Sequence, residues 1–179
     1  GVGQFAVADD DRDLLAAAVT RLDAEGFSVH MHAIGDRAVR NALDAIQAAR
    51  RSNGANDLRH HIAHLQIVNP DDVPRFAELG VVANCQPFWC QNEPQMDDLT
   101  LPVIGPERAG WQYPFAALRA TGAALAGGSD WPVTTPDPLA EIDVMVNRWA
   151  PGHADAGAFM PEQRVPLAAA IDAFTRGAA

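Results

Sequence analysis

Three stretches of the chain carry side chains that could do chemistry. In "FSVHMHAIGDRAV" (27–39) a β-branched, apolar run holds His30 and His32 one residue apart, then turns at Ile34-Gly35 into an Asp-led helical pattern. Alternate residues of a strand share a face, so Ser28, His30 and His32 point one way and Val29, Met31 and Ala33 the other. Imidazoles are costly in an apolar layer without partners. The carboxyl end of a strand, by contrast, is where parallel βα folds place their ligand sites. His32 is therefore a candidate site residue. His30, one layer deeper, divides between such a role and that of a core histidine bonded to a neighbouring carbonyl.

"HHIAHLQIV" (60–68) repeats the arrangement, with His60, Ile62, His64 and Gln66 on one face and His64 near the strand end. A helical pair of zinc ligands of the HExxH type is rejected. His61 stands where that motif needs Glu, and Ile62, Ile67 and Val68 favour a strand. His60 and His61 are expected to begin the strand and to bind nothing. In "GGSDWPV" (127–133) a glycine pair allows close backbone approach, and Asp130 arrives where a strand ends. Taken alone, Asp130 could equally be a cap or turn former. Taken together, His, His and Asp at three strand ends form the donor set of a mononuclear or binuclear metal site. A metal there lowers the pKa of water towards neutrality, and a carboxylate beside it can take the proton.

The elements that would hold these residues alternate along the chain. Leu15, Val19 and Leu22 form one helical stripe, closed by Gly26 before a strand over 27–33. Asp36 is a candidate N-cap for a helix carrying Val39, Ala42, Leu43, Ile46 and Ala49. "NGAN" (53–56) breaks the chain before a strand over 60–68. Pro70 opens a short helix that Gly80 ends, and "VVANCQ" (81–86) is a third strand. A long irregular stretch from Pro87 to about Gln112 has the character of a functional loop. "FAALRATG" is helical, 123–130 is a fourth strand, and 138–149 and 161 to about 176 are helices. Strand and helix in alternation indicate an α/β chain with a parallel sheet, either an open doubly wound sheet or half of a (βα) barrel.

Composition narrows the function. The 179 residues suffice for one domain, and 48% hydrophobic with 20% charged residues describes a globular chain. A net charge of −10 leaves no basic patch for nucleic acid. No apolar run is long enough to span a bilayer, and no basic-then-apolar leader opens the sequence. Cys85 and Cys90 alone make neither a disulfide framework nor a zinc knuckle, so they read as free thiols in a reducing, cytoplasmic setting.

"VHMHAIGDRAV", "HHIAHLQIV" and "GSDWPV" followed by "DPLAEI" resemble, in this order, the later strands of the metal-dependent amidohydrolase superfamily. The nearest likeness is to its family 3, the group of N-substituted formamide deformylase-like enzymes. "PERAGWQYPFAALRATGAALAGGSDWPV" and "PEQRVPLAAAIDAFTRGAA" extend the resemblance over nearly the whole chain.

The resemblance implies a TIM-like (βα) barrel fragment, approximately strands 5 to 8 with their helices. Residues 1–179 would be part of a catalytic domain, without the first half of the barrel or the flanking β-sandwich. His32 would be the fifth-strand metal ligand, His64 the sixth-strand ligand, and Asp130 the eighth-strand metal contact and proton shuttle. The ion expected is divalent, zinc first. The loop after the third strand would shape a substrate pocket with Trp89 and Asn92, and Trp131 beside Asp130 would add to it. The implied activity is metal-dependent hydrolysis of amide or other C–N bonds in a small molecule, with His64 and Asp130 catalytic. The alternative is a non-catalytic binding or regulatory module on the same scaffold. The superfamily's first-strand His-x-His is not found: His30-x-His32 lies in a fifth-strand context. The chain has no lysine to serve as a carboxylated bridge, and Ala63 stands where an acidic residue is expected. A complete barrel needs about 250 residues. Half a barrel exposes two sheet edges, so the chain is expected to pair with a second copy or to pack against its missing half. His153 reads as a surface loop residue.

Overall fold

The computed structural model describes residues 11–179. Four short strands make one parallel sheet in chain order: β1 (His30–Ala33), β2 (His61–His64), β3 (Val82–Cys85) and β4 (Leu125–Gly127). Parallel neighbours need a crossover between each pair, and helices supply it. α1 (Arg12–Ala24) precedes β1, α2 (Asp36–Asn53) joins β1 to β2, and α3 (Val73–Leu79) joins β2 to β3. A π-helical turn (Gln95–Thr100), α4 (Leu101–Ala109) and α5 (Phe115–Ala120) lead to β4; α6 (Pro138–Asn147) and α7 (Leu167–Ala173) follow it. Among the described residues no helix is long and apolar enough to cross a membrane.

The core lies on one face of this sheet. Val39, Ala42, Leu43, Ile46 and Ala49 of α2 are all buried, as their helical spacing predicts, against Ala33, Ile62 and Ala83. The α2 N-cap is Gly35 in extended backbone, not Asp36, which is the first helical residue. Asp36 instead accepts from Arg108 Nη2 at 2.7 Å and tethers the start of α2 to α4.

Register overturns the expected phase of β2. His30 pairs with His61, His32 with Ala63 and Ala63 with Asn84, so these residues share the face away from the core. Ile62 is fully buried on the helix side, and His60, one residue before the strand, is fully buried as well. The large apolar side chain decides the phase, because a slip by one residue would expose Ile62 and bury His61. The strand ends early because His64 and Leu65 both take left-handed backbone, with φ of +72° and +57°.

Two further expectations are corrected. The segment from Pro87 to Gln112 is half helical; Pro94, Pro102 and Pro106 disguised this, though proline is tolerated in a first helical turn. Pro106 follows a break at Gly105, whose φ is +78°. The last predicted helix is split by Pro166 into a single turn, Pro161–Gln163, and α7. Gly127 explains how α7 docks: a Cβ at that position would lie 2.4 Å from the Phe174 ring.

The α1 stripe also differs. Val19 is buried, but Leu22 is 38% exposed and the residue beside it, Asp23, is buried instead. Asp23 Oδ1 accepts from Arg50 Nη1 (2.8 Å) and Asn56 Nδ2 (2.9 Å), and Oδ2 accepts from Asn53 Nδ2 (2.8 Å). His60 Nδ1 accepts from the Val29 N–H (3.1 Å), so its proton sits on Nε2 and is donated to Asp23 Oδ1 at 2.8 Å. One carboxylate thus joins α1, α2, the turn after α2 and the amino ends of β1 and β2. Burial raises its pKa, but the Asn56, Asn53 and His60 hydrogen bonds and the Arg50 charge outweigh burial and hold it at about 2. Because the folded pKa lies below the ordinary 3.8, the stabilisation is complete above about pH 4 and is lost as pH falls through 2. Asp23→Ala should cost on the order of 3 kcal/mol at neutral pH, since it strands Arg50 and His60. Denaturant unfolding of both proteins should show this gap narrowing from pH 4 to pH 2; a gap independent of pH would refute it.

Candidate active site

The polar face of the sheet reaches its chemistry at the carboxyl ends of the strands. His32 projects from β1 on that face. The pleat that buries Ile62 would send His64 towards the helices, and the left-handed backbone at His64 turns it back. The two imidazoles meet edge to face, ring centroids 4.3 Å apart. Asp130, also left-handed with φ of +60°, brings Oδ1 to 4.0 Å from His64 Nε2. Its Oδ2 accepts from Trp89 Nε1 at 3.3 Å, in the turn after β3. All four strand ends therefore contribute one side chain. Left-handed backbone at a non-glycine residue costs about 1 kcal/mol or more, so its use at both His64 and Asp130 marks this point of the fold.

Burial lowers the pKa of His64, the nearby His32 lowers it further, and Asp130 opposes in part. His64 is thus biased to the neutral imidazole, the form that ligates a metal. The donor set of two imidazoles and a carboxylate suits a divalent ion in kind. It falls short in number, since among the described residues no three His, Cys, Asp or Glu side chains come close enough to share one ion.

Beside this cluster runs a groove of about 990 Å³. Trp89 and Tyr113 line it, with Met96, Gln66 and Glu93. Asn92 and Trp131 lie outside that lining: Asn92 donates to the Ala156 and Gly157 carbonyls at 3.4 Å each, and Trp131 is 65% exposed. His153 borders a separate shallow depression with Asn92. His30 and His61 stack one layer below the strand ends, centroids 5.8 Å apart. His60 belongs to the Asp23 cluster and has no part in the site.

One supporting residue escaped the sequence reading. Glu141 of α6 is fully buried, where it accepts from the Phe88 N–H at 2.8 Å and contacts Thr134 Oγ1 at 3.3 Å. It thereby fastens the loop of Trp89 to the loop of Asp130. Thr134 Oγ1 also bonds the Ser129 carbonyl oxygen. Burial, with the Asp130 charge, pushes the Glu141 pKa to about 7 against the opposing Phe88 and Thr134 hydrogen bonds. An acidic residue on the stripe of Val144 and Met145 was the sequence signal for it.

Known proteins compare as follows. The amidohydrolase family model matches residues 2–179. Protein LONG AFTER FAR-RED 3 of Arabidopsis thaliana is 35% identical over 170 residues, 94% of this chain and 28% of its own length. An uncharacterized metal-dependent hydrolase from Pyrococcus furiosus superimposes with a TM-score of 0.75 at 30% identity, over 94% of this chain and 32% of that one. An uncharacterized metal-dependent hydrolase from Pyrococcus horikoshii OT3 gives 0.76 at 27% identity, with the same coverage. The chain thus spans less than a third of the length of these relatives.

The raised pKa of Glu141 has a measurable signature. A carboxyl whose folded pKa is raised from 4.5 to about 7 contributes stability in full below 4.5, lost as pH rises through 7. Glu141→Gln, which has no proton to lose, should lack that decline. Relative to the variant, the parent should weaken between pH 4.5 and 8 in chemical denaturation; parallel profiles would show that Glu141 is ionised throughout.

Proposed function

The chain belongs to the amidohydrolase family, and from that premise we propose that it is the C-terminal half of a TIM-like barrel in a metal-dependent hydrolase of amide or other C–N bonds. The four parallel strands would be barrel strands five to eight. Their strict chain order and the chain's share of its relatives' length support this. Among the described residues β1 and β4 each have a neighbour on one side only, and the other half of the barrel would pair with them and cover the polar face. Cys85 and Cys90, both buried thiols, suit a reducing, cytoplasmic setting.

The observation that carries the reading is the convergence of His32, His64 and Asp130, two of them held in left-handed backbone. His32 and His64 would hold the ion, zinc by the nature of the donors, with Asp130 beside them, 4.0 Å from His64, and further donors from outside this set. A divalent metal there supplies Lewis acidity towards a carbonyl oxygen and lowers the pKa of water. Asp130 accepts the proton of the attacking water and returns it to the leaving amine. The Trp89 N–H aims that carboxylate. His64, biased to neutrality, remains a nitrogen donor rather than a competing acid. The groove lined by Trp89 and Tyr113 takes an apolar part of a small amide. N-formyl and N-acyl amines are the first substrates to try, in keeping with the formamide deformylase-like resemblance.

In the full-length protein, elemental mass spectrometry should find stoichiometric divalent metal that is lost in the His32→Ala/His64→Ala double variant. Asp130→Asn should lower turnover of N-acyl amines by about 10²–10⁴-fold while most of the metal stays bound. Metal content indifferent to both histidines would refute the assignment.

A further inference from the structure

We propose that Gln86 is a positioning residue for His64. It acts at the head of a side-chain ladder, Gln86–Asn84–His61, that crosses the polar face and sets the proton of the His61 ring on Nε2. The functional meaning of His64 rests on the metal-binding reading above, whereas the positioning stands on geometry alone.

Left-handed backbone at His64 needs something to hold it. The His64 N–H donates to Gln86 Oε1 at 2.7 Å, and Gln86 is 6% exposed. Gln86 Nε2 donates to Asn84 Oδ1 at 2.6 Å, and Asn84 Nδ2 meets His61 Nδ1 at 3.1 Å. The direction of this chain is not free. A backbone N–H can only donate, so the Gln86 atom facing it is the oxygen and its NH₂ faces Asn84. Asn84 must then present oxygen to Gln86 and NH₂ to His61, whose Nδ1 must accept. One main-chain donor thereby fixes two amide orientations and one imidazole tautomer.

Gly128 makes room for the ladder. A Cβ there would lie 3.0 Å from Gln86 Nε2 and 3.3 Å from Asn84 Oδ1. The Gly128 N–H is tied to the Cys85 carbonyl at 2.9 Å, and Asp130 follows two residues later. The Gln86 amide therefore sits between the strand end that carries His64 and the one that carries Asp130. In "ANCQPF" Asn84 and Gln86 are two apart, which places both on one strand face.

Labelling with ¹⁵N-histidine makes the test readable, since these 179 residues contribute six backbone amide signals. The His61 N–H, bonded to the Val29 carbonyl at 2.9 Å, is an internal control in the same strand. Hydrogen exchange is measured without added metal, well above the imidazole range. In Gln86→Leu the His64 amide should exchange on the order of tenfold faster, the loss of one hydrogen bond, with His61 unchanged. Gln86→Glu keeps an acceptor for His64 but faces Asn84 with a second oxygen. Protection of His64 should then return, the Asn84 amide should turn over, and ring ¹⁵N shifts should show the His61 proton moved to Nδ1. An unchanged His64 amide in Gln86→Leu, a common acceleration of His64 and His61, or an unmoved tautomer in Gln86→Glu would each overturn the proposal. Metal binding by the unsubstituted protein is measured separately; its absence would defeat the functional reading and leave the exchange result intact.

Discussion

The burial of Ile62 governs most of what lies on the other side of the sheet. A strand of four residues between two others has two phases, and only one puts this side chain among Leu43, Ile46 and Phe76. Once that choice is made, His61 must face the polar side and His64 would face the helices. The left-handed turn at His64 and Leu65 resolves the conflict: it ends β2 and redirects the imidazole towards His32 and Asp130. Core packing and site geometry are thus coupled through a single strand.

The two ends of the sheet are built by different means. At the amino ends Asp23, itself buried, gathers hydrogen bonds from Arg50, Asn53, Asn56 and His60. At the carboxyl ends, Asp130 has among the described residues one donor, Trp89, and an imidazole at 4.0 Å. A saturated carboxylate is a staple. An under-coordinated one keeps a free electron pair for a proton or an ion. The same residue type is saturated at one end of the sheet and sparsely bonded at the other, and the supply of donors makes the difference.

Sequence patterning revealed the order of strands and helices and the three strand ends with His32, His64 and Asp130. Those features depend on local periodicity and turn chemistry. What it missed depends on partners distant in the chain. His60 and His64 look equivalent in "HHIAH", yet one meets Asp23 from α1 and the other turns through its own backbone. Leu22 and Asp23 exchange their expected environments because Arg50 and Asn53, a helix away, supply the partners. The helices after Pro94 were hidden by prolines sitting where a first turn tolerates them. Glu141 could not be singled out in the sequence, because its partners, Phe88 and Thr134, lie on two separate loops.

The contact between Gly127 and Phe174 has a consequence for how such a chain is made. β4 carries the approach to Asp130, and its core side is backed by a ring that emerges from the ribosome later than every strand of the sheet. α1, α2, β1 and β2 can collect around Asp23 while synthesis continues, since their partners are already present. The strand that positions Asp130 has no such early partner for Gly127. Vectorial synthesis therefore supplies the partners of Asp23 before it supplies Phe174, the ring behind Gly127.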